Sequence, residues 1–244
     1  MATPPVTDTL ARFVTETEFA TISPTARTNA KLHILDTFGV ALAGADQPAA
    51  RIALDYCKQL GSSREASIWG TAQKAAVSTA AFANGLLAHA LDFDDWDAFI
   101  HVGHPTSMLI GAALSLGEHI GASGEGLLKA YVLGIEVICK LAANCPNVQD
   151  RGFHSTPVWG SLGATVACAS LLELDAAKLK TALGIAASAA GGIHRQQGSM
   201  VKPFHARNAP PNGPEACCRA TGDSTDSQRR FYSSGVGRCG TAAG

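Results

Sequence analysis

The stretch Asn84–Thr106, NGLLAHALDFDDWDAFIHVGHPT, decides how this chain reads. An apolar helical run (Ala80, Ala81, Phe82, Leu86, Leu87, Ala90) ends abruptly in acid. Asp92, Asp94, Asp95 and Asp97 fall within six residues, flanked by His89, His101 and His104. Carboxylates at a helix C-terminus face the negative end of the helix dipole, so helix stability does not account for four of them. A solvated turn whose Asp side chains bond the nearby backbone is one explanation. An acid/base site is the other, and the histidines arriving at 101 and 104 favour it. An Asp beside a His holds it in one tautomer and raises its basicity, which suits proton transfer next to a carboxylate. Asp92 and His104 are the candidates for that pair, with His89 a packed, supporting histidine on the same helical face as Asp92.

Outward from this stretch the periodicity is helical. Ser23-Pro24 is a start signal, Ser as N-cap and Pro at the first helical position. Leu32, Leu35, Phe38 and Leu42 then recur at three- and four-residue steps towards Gly44, which suits a C-cap. Pro48 opens another helix with Ile52, Ala53, Tyr56 and Leu60 inward. Glu65–Gly70 is a brief extended piece. Pro105 opens the helix after the acid loop. The run LLKAYVLGIEVICKLA (127–142) is apolar over more than half its circumference and is expected to be central and mostly buried. Two Ala-rich helices follow, from about Pro157 to Leu174 and after Asp175. No strand series or fixed repeat interrupts these helices. The fold class is therefore all-α, a multi-helix domain over residues 1–208. Residues 209–244 hold Pro, Gly, Ser, Arg and Cys with almost no aliphatics, and read as an irregular tail.

Composition narrows the function. Of 244 residues 46% are hydrophobic and only 6% aromatic, which suits helices packed through small residues. A net charge of -1 without a basic patch argues against nucleic acid. No apolar run is long and charge-free enough to span a membrane, and the N-terminus has no signal-peptide core. Seven cysteines without framework spacing or a C-x-x-C point to a reducing cytoplasm and no structural zinc. The DFDD and HVGH segments offer metal ligands, but H-x-x-H in a loop lacks the geometry of a helical pair, so no metal is expected.

Two further segments carry chemistry. In Gly152–Pro157 (GFHSTP), Ser155 or Thr156 can cap the next helix, whose N-terminal N–H groups suit a carboxylate, with His154 at the mouth. In Gly198–His205 (GSMVKPFH), Lys202 is isolated between a glycine and a proline that biases it to an extended backbone. It can bind a carboxylate or, desolvated, act as a base. An ordinary loop histidine and a surface lysine are the plainer readings of each segment taken alone. No nucleophile elbow, Walker loop or dinucleotide fingerprint occurs.

Together, LLAHALDFDD (86–95), HVGHPTS (101–107), GFHSTPVWG (152–160) and GSMVKPFHARNA (198–209) resemble the MmgE/PrpD family, which includes 2-methylcitrate dehydratase, cis-aconitate decarboxylase and iminodisuccinate epimerase. The resemblance covers roughly residues 8 to 213. It implies a helical domain completed by an α/β lid, a homodimer, and cofactor-free chemistry on di- and tricarboxylates. It places catalytic positions on Asp92, His104, His154 and Lys202, with His101, Ser155 and His205 binding substrate. Trp96 stands where the family often has a small hydroxyl residue, and about two extra residues precede His104. The expected activity is a 2-methylcitrate dehydratase-like lyase, with decarboxylase and epimerase as rivals. Family members run to about twice this length, so a lid is expected to be missing and the tail to be truncated or out of frame. From another class, the chain is a non-catalytic remnant that only dimerises.

Overall fold

The computed structural model describes residues 5–61, 63–97, 99–100, 102–205 and 211–221. Helix α1 (Val6–Glu16) precedes α2 (Pro24–Gly44), α3 (Pro48–Leu60), α4 (Val77–His89) and α5 (Pro105–Ile120). Then come α6 (Gly124–Asn144), α7 (Ser155–Leu171), α8 (Ala176–Ala189), the single-turn α9 (Val201–Phe204) and α10 (Asn212–Thr221). The extended piece is a minimal antiparallel pair, β1 (Ala66–Ser67) with β2 (Lys74–Ala75). Asn84 ties it to α4, accepting from the Trp69 N–H and donating to the Ser67 carbonyl, each at 2.9 Å. The all-α expectation holds, and none of the described helices is long and apolar enough to cross a membrane.

Local signals set most helix ends. The Ser23 hydroxyl accepts from the Ala26 N–H at 3.2 Å, and Asp175 caps α8 through the Lys178 N–H at 2.9 Å. Gly121, left-handed at φ 68°, closes α5. Gly44 departs from its expected role: it is the last residue of α2 rather than a left-handed cap. A Cβ there would lie 2.4 Å from the Leu87 carbonyl oxygen, so the missing side chain serves the crossing of α2 over α4.

Small residues let the central helices touch. A Cβ on Gly111 of α5 would come 2.8 Å from the Gly85 nitrogen of α4, and one on Gly134 of α6 would come 2.9 Å from the Gly163 carbonyl of α7. Helices α4, α5 and α7 are buried along nearly their whole length. Helix α6 was expected to be the central one but buries only one stripe, including Tyr131, Leu133, Val137 and Ile138. Its apolar residues are broader than the surface its neighbours cover.

The leucine periodicity of α2 and the large residues of α3 point the other way from expectation. Leu32, Leu35 and Leu42 are exposed, as are Ile52, Tyr56 and Leu60, while Ala30, Ala41, Ala53 and Cys57 face inward. Small residues win the inner face because the backbones approach closely. The tail reading is corrected in part: Asn212–Thr221 is helix α10. Its Pro214 lies in the first turn, where the missing N–H costs nothing. Gly213, Ala216 and Cys217 are buried, and Gly213 lies so near α7 that a Cβ would meet the Ala164 carbonyl at 2.8 Å. The expected tail residues 222–244 lie outside the described residues.

Gly111→Ala is expected to lower the unfolding free energy by about 1–3 kcal/mol through overpacking against backbone. Gly39→Ala, where an added Cβ meets nothing within 4 Å, should raise it by about 0.5–1 kcal/mol through helix propensity. Urea denaturation of the two variants beside the parent checks both.

Candidate active site

The crossing of α4 and α5 sets two histidines side by side. His89 ends α4 and His104 is the N-cap of α5; their rings stand 4.7 Å apart, edge to face. The acid loop between them folds back on itself through the Asp97 N–H, which donates to the Gly103 carbonyl at 2.9 Å. Gly103 is left-handed at φ 89°, and a Cβ there would strike the Thr156 hydroxyl at 2.2 Å. Thr156 Oγ1 also accepts from the His104 backbone N–H at 3.1 Å. The loop is thereby seated on the N-terminus of α7, whose N-cap is His154.

Each carboxylate has its own task. Asp94 is enclosed with His89, both side chains at 0% exposure, and its Oδ2 lies 2.9 Å from His89 Nδ1. Its Oδ1 lies 3.3 Å from His104 Nδ1. Asp92 takes a left-handed backbone (φ 59°), a strained conformation for a non-glycine residue. This turns its carboxylate to His104 Nε2 at 3.2 Å and to the Lys202 ammonium. Asp95 works behind the site: its oxygens accept the Thr106 N–H at 3.1 Å and the Thr106 hydroxyl at 2.6 Å, capping α5. Tyr131 hydrogen-bonds Thr106 Oγ1 at 2.6 Å, and His33 approaches Asp95 at 3.5 Å. Trp96 lines a separate cavity of about 430 Å³ with His33, Asp95, Phe99 and Tyr131.

A short ladder delivers the remaining residues. The His154 N–H donates to the Gly192 carbonyl, and the His194 N–H to the Gly152 carbonyl, both at 2.9 Å. These bonds pin the chain after α8 beside α7 and lead it into α9. Lys202 sits in that single helical turn rather than in the extended backbone expected before proline. Pro203 is tolerated because the turn is too short to need its N–H. His205 follows, with its Nδ1 3.1 Å from His154 Nδ1. One of the two imidazoles must donate to the other, so they share a proton.

Electrostatics separate the histidines. Burial opposes the charged form of His104, but Asp94 and Asp92 outweigh it and raise its pKa above 6.5. Burial, reinforced by His89, His205, Lys202 and His104, drives His154 down to about 3. His205 is lowered by burial and by His89. Burial pushes Asp92 and Asp94 up, yet Lys202 (at Asp92) and the imidazoles (at both) hold both below the usual carboxylate range. His104, favoured in its charged form, thus faces two ionised carboxylates, beside a His154–His205 pair favoured in its neutral form.

Among the expected residues, Asp92, His104 and Lys202 converge directly, and His154 and His205 form the adjoining pair. Ser155 does not stand free for substrate: it is buried and its hydroxyl accepts from Gln149 Nε2 at 2.9 Å. The hydroxyl serves the loop because the helix start it occupies is packed beneath Gly103. His101 lies outside the described residues. Asp94 was not singled out in the sequence, since nothing in DFDD tells which carboxylate turns inward. His89, Asp92, Asp94 and His104 offer ligand atoms within 4.8 Å of one another, a spacing a metal ion could use. The Lys202 ammonium on Asp92 already supplies positive charge there.

This helical domain holds a buried imidazole–carboxylate cluster with the Lys202 ammonium at its edge, groups that can give, take and neutralise charge. Residues 8–231 match the MmgE/PrpD N-terminal domain, and the chain belongs to that family. It is 34% identical over 194 residues to human cis-aconitate decarboxylase, covering 76% of this chain and 40% of that protein. The mouse cis-aconitate decarboxylase is 33% identical over the same length, with 76% and 39% covered. A cis-aconitate decarboxylase-like protein, oryM, of Aspergillus oryzae is 30% identical over 217 residues, with 83% and 45% covered. The chain thus spans about two-fifths of the length of these relatives. The family match continues beyond the point near residue 213 where the resemblance read from motifs ends.

The depressed histidines make a pH prediction. A group held neutral in the fold stabilises above its unfolded pKa of 6.5, and that stability is lost as pH falls towards the folded value, about 3 for His154. Unfolding free energy should therefore drop between pH 6.5 and 4, before the carboxylates protonate. His154→Gln, which cannot take up the proton, should flatten the drop in urea titrations at each pH.

Proposed function

We propose that this chain is the helical part of a polycarboxylate lyase that works by acid/base chemistry, and that decarboxylation of a cis-aconitate-like substrate is its reaction. One observation carries the reading: Lys202 and His104 both close on the carboxylate of Asp92, which is itself 54% exposed. A carboxylate at the open edge of two cationic side chains occupies the place a substrate carboxylate would take. A substrate that displaces Asp92 gains Lys202 as an anchor and leaves His104 Nε2–H facing its carbon skeleton.

The chemistry then balances with these residues alone. The allylic carboxylate of cis-aconitate departs as CO₂, and the electron pair of the broken C–C bond shifts across the double bond. The far carbon takes the proton from His104 Nε2, giving itaconate and a neutral imidazole that regains its proton from solvent. Asp94, on the other side of the ring at Nδ1, holds the imidazolium before transfer. Neutral His154 lies beside the reacting edge as a hydrogen-bond partner for a second carboxylate. The names of the relatives favour decarboxylation over the 2-methylcitrate dehydration that the motifs first suggested. Dehydration would use the same base and acid on a 3-hydroxy carboxylate. The helical domain, on this reading, runs through α10 to about residue 221. In the whole enzyme, further chain closes the site from water, two copies pair, and the protein works in the cytoplasm.

Incubation with cis-aconitate and with 2-methylcitrate, followed by NMR of the products, separates the readings. Itaconate from the first substrate is expected, with loss of about 100-fold or more in rate for Lys202→Ala or His104→Ala. Dehydration product from the second would move the assignment to the hydro-lyase. Absence of both, together with no saturable shift of the histidine resonances on adding cis-aconitate, would overturn the polycarboxylate reading.

A further inference from the structure

The buried half of the acid cluster has a role of its own. Asp94 cannot touch a substrate: its side chain is fully enclosed. A carboxylate so buried is costly unless donors surround it. It has two, His89 Nδ1 at 2.9 Å from Oδ2 and 3.2 Å from Oδ1, and His104 Nδ1 at 3.3 Å from Oδ1. The Asp94 backbone carbonyl also faces His104 Nδ1, at 3.4 Å. Two acceptors and no donor confront that nitrogen. Nε2 also faces a carboxylate, Asp92 at 3.2 Å, but Asp92 is half exposed and shared with Lys202 whereas Asp94 is enclosed, so neutral His104 keeps its proton on Nδ1 and Nε2 is the atom that gains and loses one.

We propose that Asp94 is a positioning residue: locked from behind by His89, it fixes His104 in the Nδ1–H tautomer and directs Nε2 at the reacting atoms. The proposal rests on the acid/base role given to His104 above. His89 is the lock because its Nδ1–H spans both oxygens of Asp94, so the carboxylate cannot swing away from His104. Its own Nε2 is buried without a hydrogen-bond partner among the described residues. A polar atom left bare in a core is destabilising, which fits a histidine kept for what its other nitrogen does. The charged and titratable groups facing His104 are Asp92 and Asp94 from the loop, His89 from α4, His154 from α7 and Lys202 from α9. The two carboxylates favour its protonated form, while Lys202 opposes it. Asp94 differs from Asp92 in being closed to solvent, so substrate can displace Asp92 but not Asp94.

Long-range ¹H–¹⁵N spectra of the ¹⁵N-labelled chain across pH test this without any substrate. In the parent, neutral His104 should carry its proton on Nδ1, and Nε2 should titrate with a midpoint above 6.5. Asp94→Asn, which keeps the shape and removes the charge, should lower that midpoint by at least one unit, a tenfold or greater loss of proton affinity. Where turnover is measured, the same variant should lose about 100-fold or more in kcat with KM held within about twofold. Neutral His104 with its proton on Nε2 in the parent overturns the proposal, and this reading needs no variant to fold. A folded Asp94→Asn chain with an unmoved midpoint overturns it as well. Failure of the decarboxylase reading alone would show differently, as absent turnover with the Nδ1–H tautomer intact.

Discussion

Backbone-to-backbone contact between α4 and α5 is the constraint from which the site follows. Gly85 and Gly111 let the helices approach until a single added carbon would meet main chain at 2.8 Å. At that separation the C-terminal end of one helix and the N-terminal end of the next lie together, and the residues there are His89 and His104. The acid loop must then turn within the space between two touching helices. Only a folded-back loop fits, which is why Asp92 accepts a left-handed backbone and Gly103 lies against Thr156. Close packing of small residues, with a dipole-disfavoured run of acid at its edge, brings two of the four carboxylates, Asp92 and Asp94, where two imidazoles and a lysine can reach them.

Charge explains why this arrangement is tolerated. A buried carboxylate without partners would be protonated or would expel itself to water. Here Asp94 is satisfied by two imidazole nitrogens and Asp92 by His104 and Lys202. Lys202 comes from 110 residues away along the chain, so the ion pair closes the tertiary structure as well as the site. His154 and His205 contribute no charge, which keeps the positive potential on the two groups that face the opening. His104 favours its charged form because two carboxylates face it, whereas His154 and His205 face other imidazoles.

The sequence shows the site's composition more clearly than its wiring. Asp92, His104, His154 and Lys202 stand out because acids, histidines and a lone lysine interrupt otherwise apolar helices. Their convergence rests on contacts no local pattern encodes: the ladder at Gly152 and Gly192, and the pairing of His154 with His205. Helix boundaries marked by Ser23, Asp175 and Gly121 are legible because caps act over three or four residues. The inward faces of α2 and α3 are not, because a leucine stripe and an alanine stripe share the same period and only the neighbouring helix decides between them. Asp94 illustrates the same limit within four residues of DFDD, where alternation carries no information about which side of a turn is enclosed.

Helix α10 shows how the region with the least aliphatic content still serves the site. Its Gly213 lies against Ala164 of α7, and the Cys217 thiol donates to the Thr165 carbonyl at 3.4 Å. It buries few large side chains; close approach holds its register, and the exposed Glu215–Arg219 pair one turn apart supports the helix itself. Packed there, it supports α7 from behind. The N-terminus of α7 carries His154 and receives the His104 N–H through Thr156, so a shift of α7 along its axis would move two walls of the site together. Helix α10 is therefore not an appendage to the helical domain: by seating α7 it holds His154 at its distance from His104.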